Sequence, residues 1–260
     1  MKKYEFTGET KRVELWNRTA TLHRIKATVE FGFVKVGELG GWIEKEENLS
    51  HEGKAWVCDD AEVCDDAKVW GNAKVWGNAK VWGNAEVCDD AKVWGNAKVW
   101  GNAEVCDDAK VWGNAKVWGN AKVCGDAKVC GDAKVCGDAE VWGNAKVWGN
   151  AEVCDDAKVW GNAEVCDDAK VWGNAKVCGD AEVFLASHVL VMGSVGSRND
   201  FTTFFRDKDN EITVKCGCFL GKIDKFLEKV TQTHGNNKYA LVYRAAVEVA
   251  KLQIELTERK

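Results

Sequence analysis

Twelve cysteines and fourteen tryptophans are the residues of this 260-residue chain whose types and spacing best suit chemistry or binding. Between residues 55 and 180 all of them except Trp56 share one position of a six-residue repeat. Regularly spaced thiols suit disulfide formation or a soft metal ion, and regularly spaced indoles suit an apolar contact surface. We interpret the cysteines as structural free thiols, because in-register parallel strands orient neighbouring thiols poorly for the dihedral angle of a disulfide. A metal site is not expected, because the sequence has no Cys-x-x-Cys motif and a regular row supplies ligands in a line rather than a tetrahedron.

The four histidines do not form a convincing catalytic centre. They are His23, His51, His188 and His234, and all lie outside residues 55–180. General-base catalysis needs an imidazole beside the acceptor group, yet His51 and His188 flank the repeat at opposite ends. The sequence also has no glycine-rich phosphate loop and no serine-centred nucleophile motif. We therefore predict a non-enzymatic protein with no catalytic residue, no metal site and no cofactor.

The repeat determines the elements that position these side chains. It has 21 hexads without insertion, of the form Ala-[Lys/Glu]-Val-[Trp/Cys]-[Gly/Asp]-[Asn/Asp], and the first alone differs, with Trp56 at the second place. Ala-x-Val-x alternates buried and outward positions as a half-buried strand does, and the last two residues tolerate a corner. A strand this short cannot bury its own face, so hexads must stack, three to a coil. The prediction is an all-β solenoid, a left-handed parallel β-helix of about seven triangular coils.

Stacking every third hexad places residues 18 apart in one surface column. Because the indoles follow the inward valines, they must point outward. Two columns contain runs of three tryptophans, and the predicted binding surface is Trp76, Trp94, Trp112, Trp82, Trp100 and Trp118. Such ladders can stiffen the sheet, support self-association along a flat face, or stack on the sugar rings of a polysaccharide. All three interpretations stay open at this point.

The residues on either side of the repeat predict two smaller units. Residues 1–54 show strand-like alternation, notably over 28–36, and are expected to form an N-terminal β cap over the first coil. The β-helix is assigned to residues 55–192, where the repeat decays. Residues 193–260 are expected to form a small α+β module with a β-hairpin around 201–216 and two amphipathic helices.

Charge and hydropathy limit the classes of partner. The formal net charge is −5, and residues 55–180 carry −8, so the sequence gives no electrostatic reason to expect nucleic-acid or membrane binding. An acidic rod could instead mimic nucleic acid. No apolar run reaches the about 18 residues that a membrane span requires. Residues 1–6 lack the apolar stretch of a secretory signal, which favours a cytoplasmic location with reduced thiols.

The hexads resemble those of the hexapeptide-repeat left-handed β-helix superfamily. The flanking segments 39–44, 48–53 and 233–239 extend the resemblance to uncharacterised bacterial and prophage proteins described as polymer-forming. This resemblance implies a phage or prophage setting, with the host cytoplasm as the location. It also implies a host protein as a partner, whereas the tryptophan columns predict a second copy of the chain, as in a trimer. A small-molecule partner is not expected.

Acyltransferases of this superfamily are the enzymatic alternative. Their hexad carries a small or acidic residue directly after its aliphatic residue, where this chain has Trp or Cys after the valine. They usually take a catalytic histidine from a coil near a subunit interface. The predicted function is therefore a non-enzymatic structural or interaction rod that presents outward Trp, Cys and charged columns. The alternatives are an acyltransferase, a carbohydrate-binding protein and a nucleic-acid-mimicking inhibitor.

Overall fold

The computed structural model describes residues 2–15 and 18–256, and a β-solenoid forms its largest part. Residues 1 and 257–260, at the ends of the predicted terminal domains, lie outside the described residues. The chain begins with strands β1 (Tyr4–Glu14), β2 (Thr19–Ala27) and β3 (Leu39–Ile43) and a short 3₁₀ helix at Glu46–Asn48. Strand β2 pairs antiparallel with both β1 and β3.

The repeat forms strands of two residues each, one for every hexad and one more after the last perfect hexad. In chain order they are β4 (Trp56–Val57), β5 (Glu62–Val63), β6 (Lys68–Val69), β7 (Lys74–Val75), β8 (Lys80–Val81), β9 (Glu86–Val87), β10 (Lys92–Val93), β11 (Lys98–Val99), β12 (Glu104–Val105), β13 (Lys110–Val111), β14 (Lys116–Val117), β15 (Lys122–Val123), β16 (Lys128–Val129), β17 (Lys134–Val135), β18 (Glu140–Val141), β19 (Lys146–Val147), β20 (Glu152–Val153), β21 (Lys158–Val159), β22 (Glu164–Val165), β23 (Lys170–Val171), β24 (Lys176–Val177) and β25 (Glu182–Val183).

Every third strand joins the same parallel sheet, so the solenoid has three faces. The first face contains β4, β7, β10, β13, β16, β19, β22 and β25. The second contains β5, β8, β11, β14, β17, β20 and β23 and continues through β3 into β1 and β2. The third contains β6, β9, β12, β15, β18, β21 and β24. The prediction of a parallel solenoid with three hexads per turn is confirmed.

The register between neighbouring turns is 18 residues throughout. Lys92 lies opposite Lys110 and Val93 opposite Val111, and the Lys92 N–H donates to the Ala109 carbonyl at 2.9 Å. The solenoid has about eight turns, whereas perfect hexads alone predict about seven. The difference arises because Ile43 and Leu49 pair in parallel with the first hexads and form an irregular opening turn.

The interior of the solenoid consists of the valine and alanine of each hexad, and all of them are buried. Each corner needs a backbone with positive φ, as at Gly95 (φ 71°). A Cβ on Gly95 would lie 3.1 Å from the Gly113 nitrogen of the next turn. In the Cys-Asp-Asp hexads an aspartate takes this conformation, for example Asp107 (φ 58°). Stacked corners therefore explain why the fifth position is restricted to Gly and Asp.

The N-terminal strands cover the first turn with apolar side chains. Tyr4, Ile25 and Trp56 belong to the same buried cluster as the solenoid valines. The predicted strand over 28–36 is wrong, because these residues form turns with a single bridge between Phe31 and Val34. The chain reverses direction in this segment and places Val34 in the core, which gives the sequence its hydrophobic alternation.

The C-terminal residues form a four-stranded antiparallel sheet and two helices. After a 3₁₀ helix at Ala186–His188, the sheet contains β26 (Val189–Val195), β27 (Asp200–Arg206), β28 (Ile212–Cys216) and β29 (Phe219–Lys222) in that order. The helices are α1 (Ile223–His234) and α2 (Lys238–Gln253). The predicted hairpin and helices are confirmed, but residues 189–192 belong to β26 rather than to a decaying hexad.

Strand β27 joins the solenoid to this C-terminal unit through alternating side chains. Phe205 is buried with the solenoid valines, and Phe204 packs with Phe226 and Val247 of the helices. Successive strand residues point to opposite faces, so one strand closes two cores. None of the helices within residues 2–15 and 18–256 combines the length and apolarity that crossing a bilayer requires.

Candidate binding face

The six tryptophans predicted as a binding surface form two stacks. On the first face, the ring centres of Trp76 and Trp94 are 4.8 Å apart and those of Trp94 and Trp112 are 5.0 Å apart, with planes within 3° of parallel. On the second face, the same arrangement joins Trp82, Trp100 and Trp118 at 4.9 and 5.0 Å. The outward position of the indoles and the column assignments follow the 18-residue register.

Stacking covers the flat faces of these rings and leaves their edges toward solvent. All six indoles are half-buried, whereas Trp70 and Trp172, whose column neighbours within the repeat are cysteines and not indoles, are 39% and 45% exposed. Parallel offset rings stabilise neighbouring strands. Each stack therefore stiffens its sheet and at the same time presents a narrow apolar edge.

Lysines run beside the tryptophans of the first face. The in-register row is Lys74, Lys92, Lys110, Lys128 and Lys146. Lys146 pairs with Glu164 at 2.6 Å, and the Lys74 ammonium lies 4.0 Å from the Phe33 ring centre. Among the residues that the structure describes, Lys92, Lys110 and Lys128 make no ion pair with a carboxylate. We call this row together with Trp76, Trp94 and Trp112 the Lys–Trp face.

The other two faces neutralise much of their charge internally. Ion pairs between neighbouring turns are Lys80–Glu62 and Lys134–Glu152 on the second face, and Lys122–Glu104 and Lys158–Glu140 on the third. Like charges directly opposite one another in a sheet are destabilising. The second face keeps Lys98 opposite Lys116 and the third keeps Glu86 opposite Glu104, but neither has a row of five like charges, as the Lys–Trp face does.

A pocket of about 410 Å³ lies where the tryptophan stack of the Lys–Trp face ends. Its walls are Phe33, Trp56, Cys58, Lys74, Trp76 and Lys92. Below Trp76 the column continues with Cys58, so this side of the indole meets a thiol instead of another ring. At the matching end of the second stack, Val13 and Leu15 pack with Cys64 and Trp82. The N-terminal cap thus covers the end of one stack and leaves the other open.

The corners carry amide ladders that need no ligand to explain them. Asn96 donates to Asn114 at 3.2 Å and Asn114 donates to Asp132 at 3.1 Å, each one turn further along. The Asp59 carboxylate accepts the Gly77 N–H at 3.0 Å. These Asn and Asp residues satisfy local backbone and side-chain groups, as the sequence predicts for corner positions.

The cysteines occupy outward columns, but the prediction that all are free is wrong. Cys136 and Cys154 lie in adjacent turns with Cα atoms 4.6 Å apart and form a disulfide. In-register parallel strands were expected to orient the thiols poorly for this bond. Adjacent turns of the solenoid nevertheless place the Cα atoms within disulfide range.

Buried thiols elsewhere in the columns are poor nucleophiles. Burial raises the pKa of Cys58 and of Cys64 to about 12 and that of Cys178 to about 11. At neutral pH these side chains are therefore protonated, and the reactive species, the thiolate, is scarce. They act as packing residues between turns.

The two histidines nearest the repeat are structural. His51 stacks on Tyr4 with ring centres 4.4 Å apart and its Nδ1 accepts the Lys3 N–H at 3.1 Å. His188 is fully buried against Phe184, and burial lowers its pKa to about 4. His51 packs in the N-terminal cap and His188 follows the last turn, so the structure does not bring them together.

No model of a known protein family matches the sequence, and a search of curated proteins returns no match. The lysine row is a feature of the candidate face that the sequence analysis missed. Its signal is the residue at the second place of every third hexad, which is lysine five times in succession from Lys74 to Lys146. Counting charge by hexad type, rather than by face, conceals this row.

Proposed function

We propose that this chain is a left-handed β-helical rod without enzymatic activity that functions by binding through the Lys–Trp face, primarily to a second copy of itself. The proposal depends on one observation, the stacked indoles and the in-register lysines on one face. Apolar edges flanked by cations fit an acidic partner that excludes water from the rings.

A second copy offers carboxylates at the matching spacing. The middle of the third face and its adjoining corner carry Glu86, Asp89, Asp90, Glu104, Asp107, Asp108 and Asp126. Glu86 and Glu104 lie opposite one another in adjacent turns, as the lysines of the Lys–Trp face do. Neighbouring residues of both rows are one solenoid turn, or 18 residues, apart. The carboxylates of one rod can therefore lie opposite the lysines of a second rod in each successive turn.

Contact between two different faces gives a head-to-tail interface. Such an interface closes into a ring, such as a trimer, or continues as an open array. In the phage or prophage setting that the resemblance implies, an acidic host protein in the cytoplasm would use the same face. Either partner makes the rod a scaffold or an interaction protein.

Molar mass by light scattering tests the proposal. We expect the wild-type protein to exceed the monomer mass of 28.7 kDa increasingly with concentration. Replacing Trp76, Trp94 and Trp112 together by serine should return it to the monomer. The matched control replaces Trp82, Trp100 and Trp118, the stack on the second face with ring centres 4.9 and 5.0 Å apart. That face forms neither side of the proposed contact, so the control should leave association intact.

A monomer at every concentration that also captures no protein from a bacterial lysate would overturn the proposal. A captured protein that is lost with the same three serine substitutions assigns the Lys–Trp face to a host factor instead. The acyltransferase alternative predicts acyl-CoA binding that survives those substitutions, together with turnover that His51→Ala or His188→Ala abolishes.

A further inference from the structure

Three cysteines occupy consecutive turns of the third face. Cys88, Cys106 and Cys124 each follow an in-register valine, and the turns beneath them pair Val87 with Val105 and Val105 with Val123. Cys88 is buried, and Cys106 and Cys124 are half-buried. None of the three is in a disulfide. We call these three residues the thiol ladder.

The spacing of the thiol ladder suits a metal ion held between two sulfur atoms. The sulfur atoms of Cys106 and Cys124 and a carboxylate oxygen of Asp107 all lie within 4.8 Å of one another. Metal–thiolate bonds of about 2.3 Å, placed end to end, span about 4.6 Å. This span falls inside the 4.8 Å limit, so an ion between neighbouring turns can bond to both sulfurs.

A row of thiols selects the kind of ion. Zinc requires four ligands in a tetrahedron, and successive turns of a sheet supply them in a line. Soft monovalent ions such as Cu(I) prefer thiolates and are commonly two-coordinate and linear. The geometry that argues against zinc therefore favours a soft, two-coordinate ion.

The charge around the thiol ladder favours a cation over an anion. Glu86, Asp89, Glu104 and Asp107 lie on the same turns as Cys88 and Cys106. The Asp107 Oδ2 accepts the Gly125 N–H at 2.9 Å, which fixes the carboxylate beside the Cys124 turn. Carboxylates at this density raise the local concentration of cations.

We propose that the thiol ladder is a binding site for a soft monovalent metal ion of the Cu(I) class, held between Cys106 and Cys124, with Cys88 as an alternative ligand. Binding converts two thiols and one ion into a bis-thiolate complex and releases two protons. No electron is transferred, because the metal enters in its reduced state. The site lies on the third face, beside the carboxylates that the proposed association would engage, and it uses no residue of the Lys–Trp face.

The test uses Cu(I) supplied from a coloured chelator under anaerobic conditions, with native mass spectrometry for stoichiometry. The protein is the full chain with Cys136 and Cys154 both replaced by serine, which removes the other pair of cysteines in adjacent turns of one column. We expect one Cu(I) per chain and protection of at least two thiols from alkylation. Cys106→Ser should weaken binding by about 100-fold or more, since it removes a ligand outright.

Cys130→Ser is the matched control. Cys130 lies in a hexad of identical sequence to that of Cys124 and is equally half-buried, but its column neighbours are Trp112 and Trp148. We expect this variant to bind Cu(I) as the parent does. Equal affinity in the parent and in Cys106→Ser, with far-ultraviolet circular dichroism unchanged, would overturn the proposal. Freshly purified protein in which two cysteines of the thiol ladder form a disulfide, and which takes up no Cu(I), would also overturn the proposal.

Discussion

The stack on the Lys–Trp face makes a quantitative prediction for Trp94→Ser. Trp94 stacks on Trp76 at 4.8 Å and on Trp112 at 5.0 Å. An aromatic pair contributes about 0.5–1.5 kcal/mol beyond the burial of its area, so losing two pairs should lower the free energy of unfolding by roughly 1–3 kcal/mol. The loss of buried apolar area adds to this figure.

Trp172→Ser provides the comparison. Trp172 is 45% exposed and its ring contacts the Lys170 ammonium at 4.9 Å, an interaction worth about 0.5–1 kcal/mol. Both variants should be unfolded with urea and followed by far-ultraviolet circular dichroism, since turns of a solenoid unfold as coupled neighbours. Trp94→Ser should be the less stable of the two. Equal free energies of unfolding would refute the argument that stacking stabilises the sheet.

Three further predictions concern the corners, the buried histidine and the disulfide. Gly95→Ala should lower the free energy of unfolding by more than the about 1–2 kcal/mol that a left-handed residue costs, because its Cβ meets the next turn. Gly173→Ala (φ 62°) has open space around the Cβ and should lose only that strain energy. Urea unfolding measures both losses. His188, with its pKa lowered to about 4, binds its proton less readily when folded. Stability should therefore fall by up to about 3 kcal/mol as pH drops from about 6.5 to 4, and His188→Asn should flatten that part of the unfolding profile. Replacing Cys136 and Cys154 by serine should lower the free energy of unfolding by about 3 kcal/mol, as expected for a closed loop of this length.

Each of these predictions has a result that would contradict it. Equal losses in Gly95→Ala and Gly173→Ala would show that the close approach of neighbouring corners costs nothing. An unchanged pH profile in His188→Asn would mean that another group causes the acid sensitivity. A reducing agent should destabilise the wild type and leave the Cys136→Ser/Cys154→Ser variant unaffected. A wild type whose free energy of unfolding does not change with the reducing agent would contradict a stabilising role for the disulfide.

The hexads allow the solenoid and its columns to be predicted because each position has one physical task. Val93 and Val111 must be buried, so Trp94 and Trp112 must lie outside, and a three-hexad turn puts them in one column. Because the hexads repeat without interruption, the same pairing register holds between all neighbouring turns. The stacking distances then follow from the spacing of neighbouring strands.

The remaining features depend on contacts that no local pattern encodes. Trp56 occupies an outward position but is buried, because Tyr4 and Phe31 of the N-terminal cap close over it. The alternation that resembles a strand over 28–36 comes from a chain reversal. The open end of the first stack exists because the cap residues Val13 and Leu15 cover only the second.

Sedimentation equilibrium with charge reversal tests the proposed association most directly. At about 0.05 M salt the wild type should associate more strongly than at about 0.5 M, because added salt screens the charges between rods. Replacing Lys92, Lys110 and Lys128 by glutamate should give a monomer at both salt concentrations. That variant should pair again with a chain in which Glu86, Asp90, Glu104 and Asp108 are lysine. A wild type that stays monomeric at both salt concentrations, or a glutamate variant that associates as strongly as the wild type, would contradict the role of the Lys–Trp face.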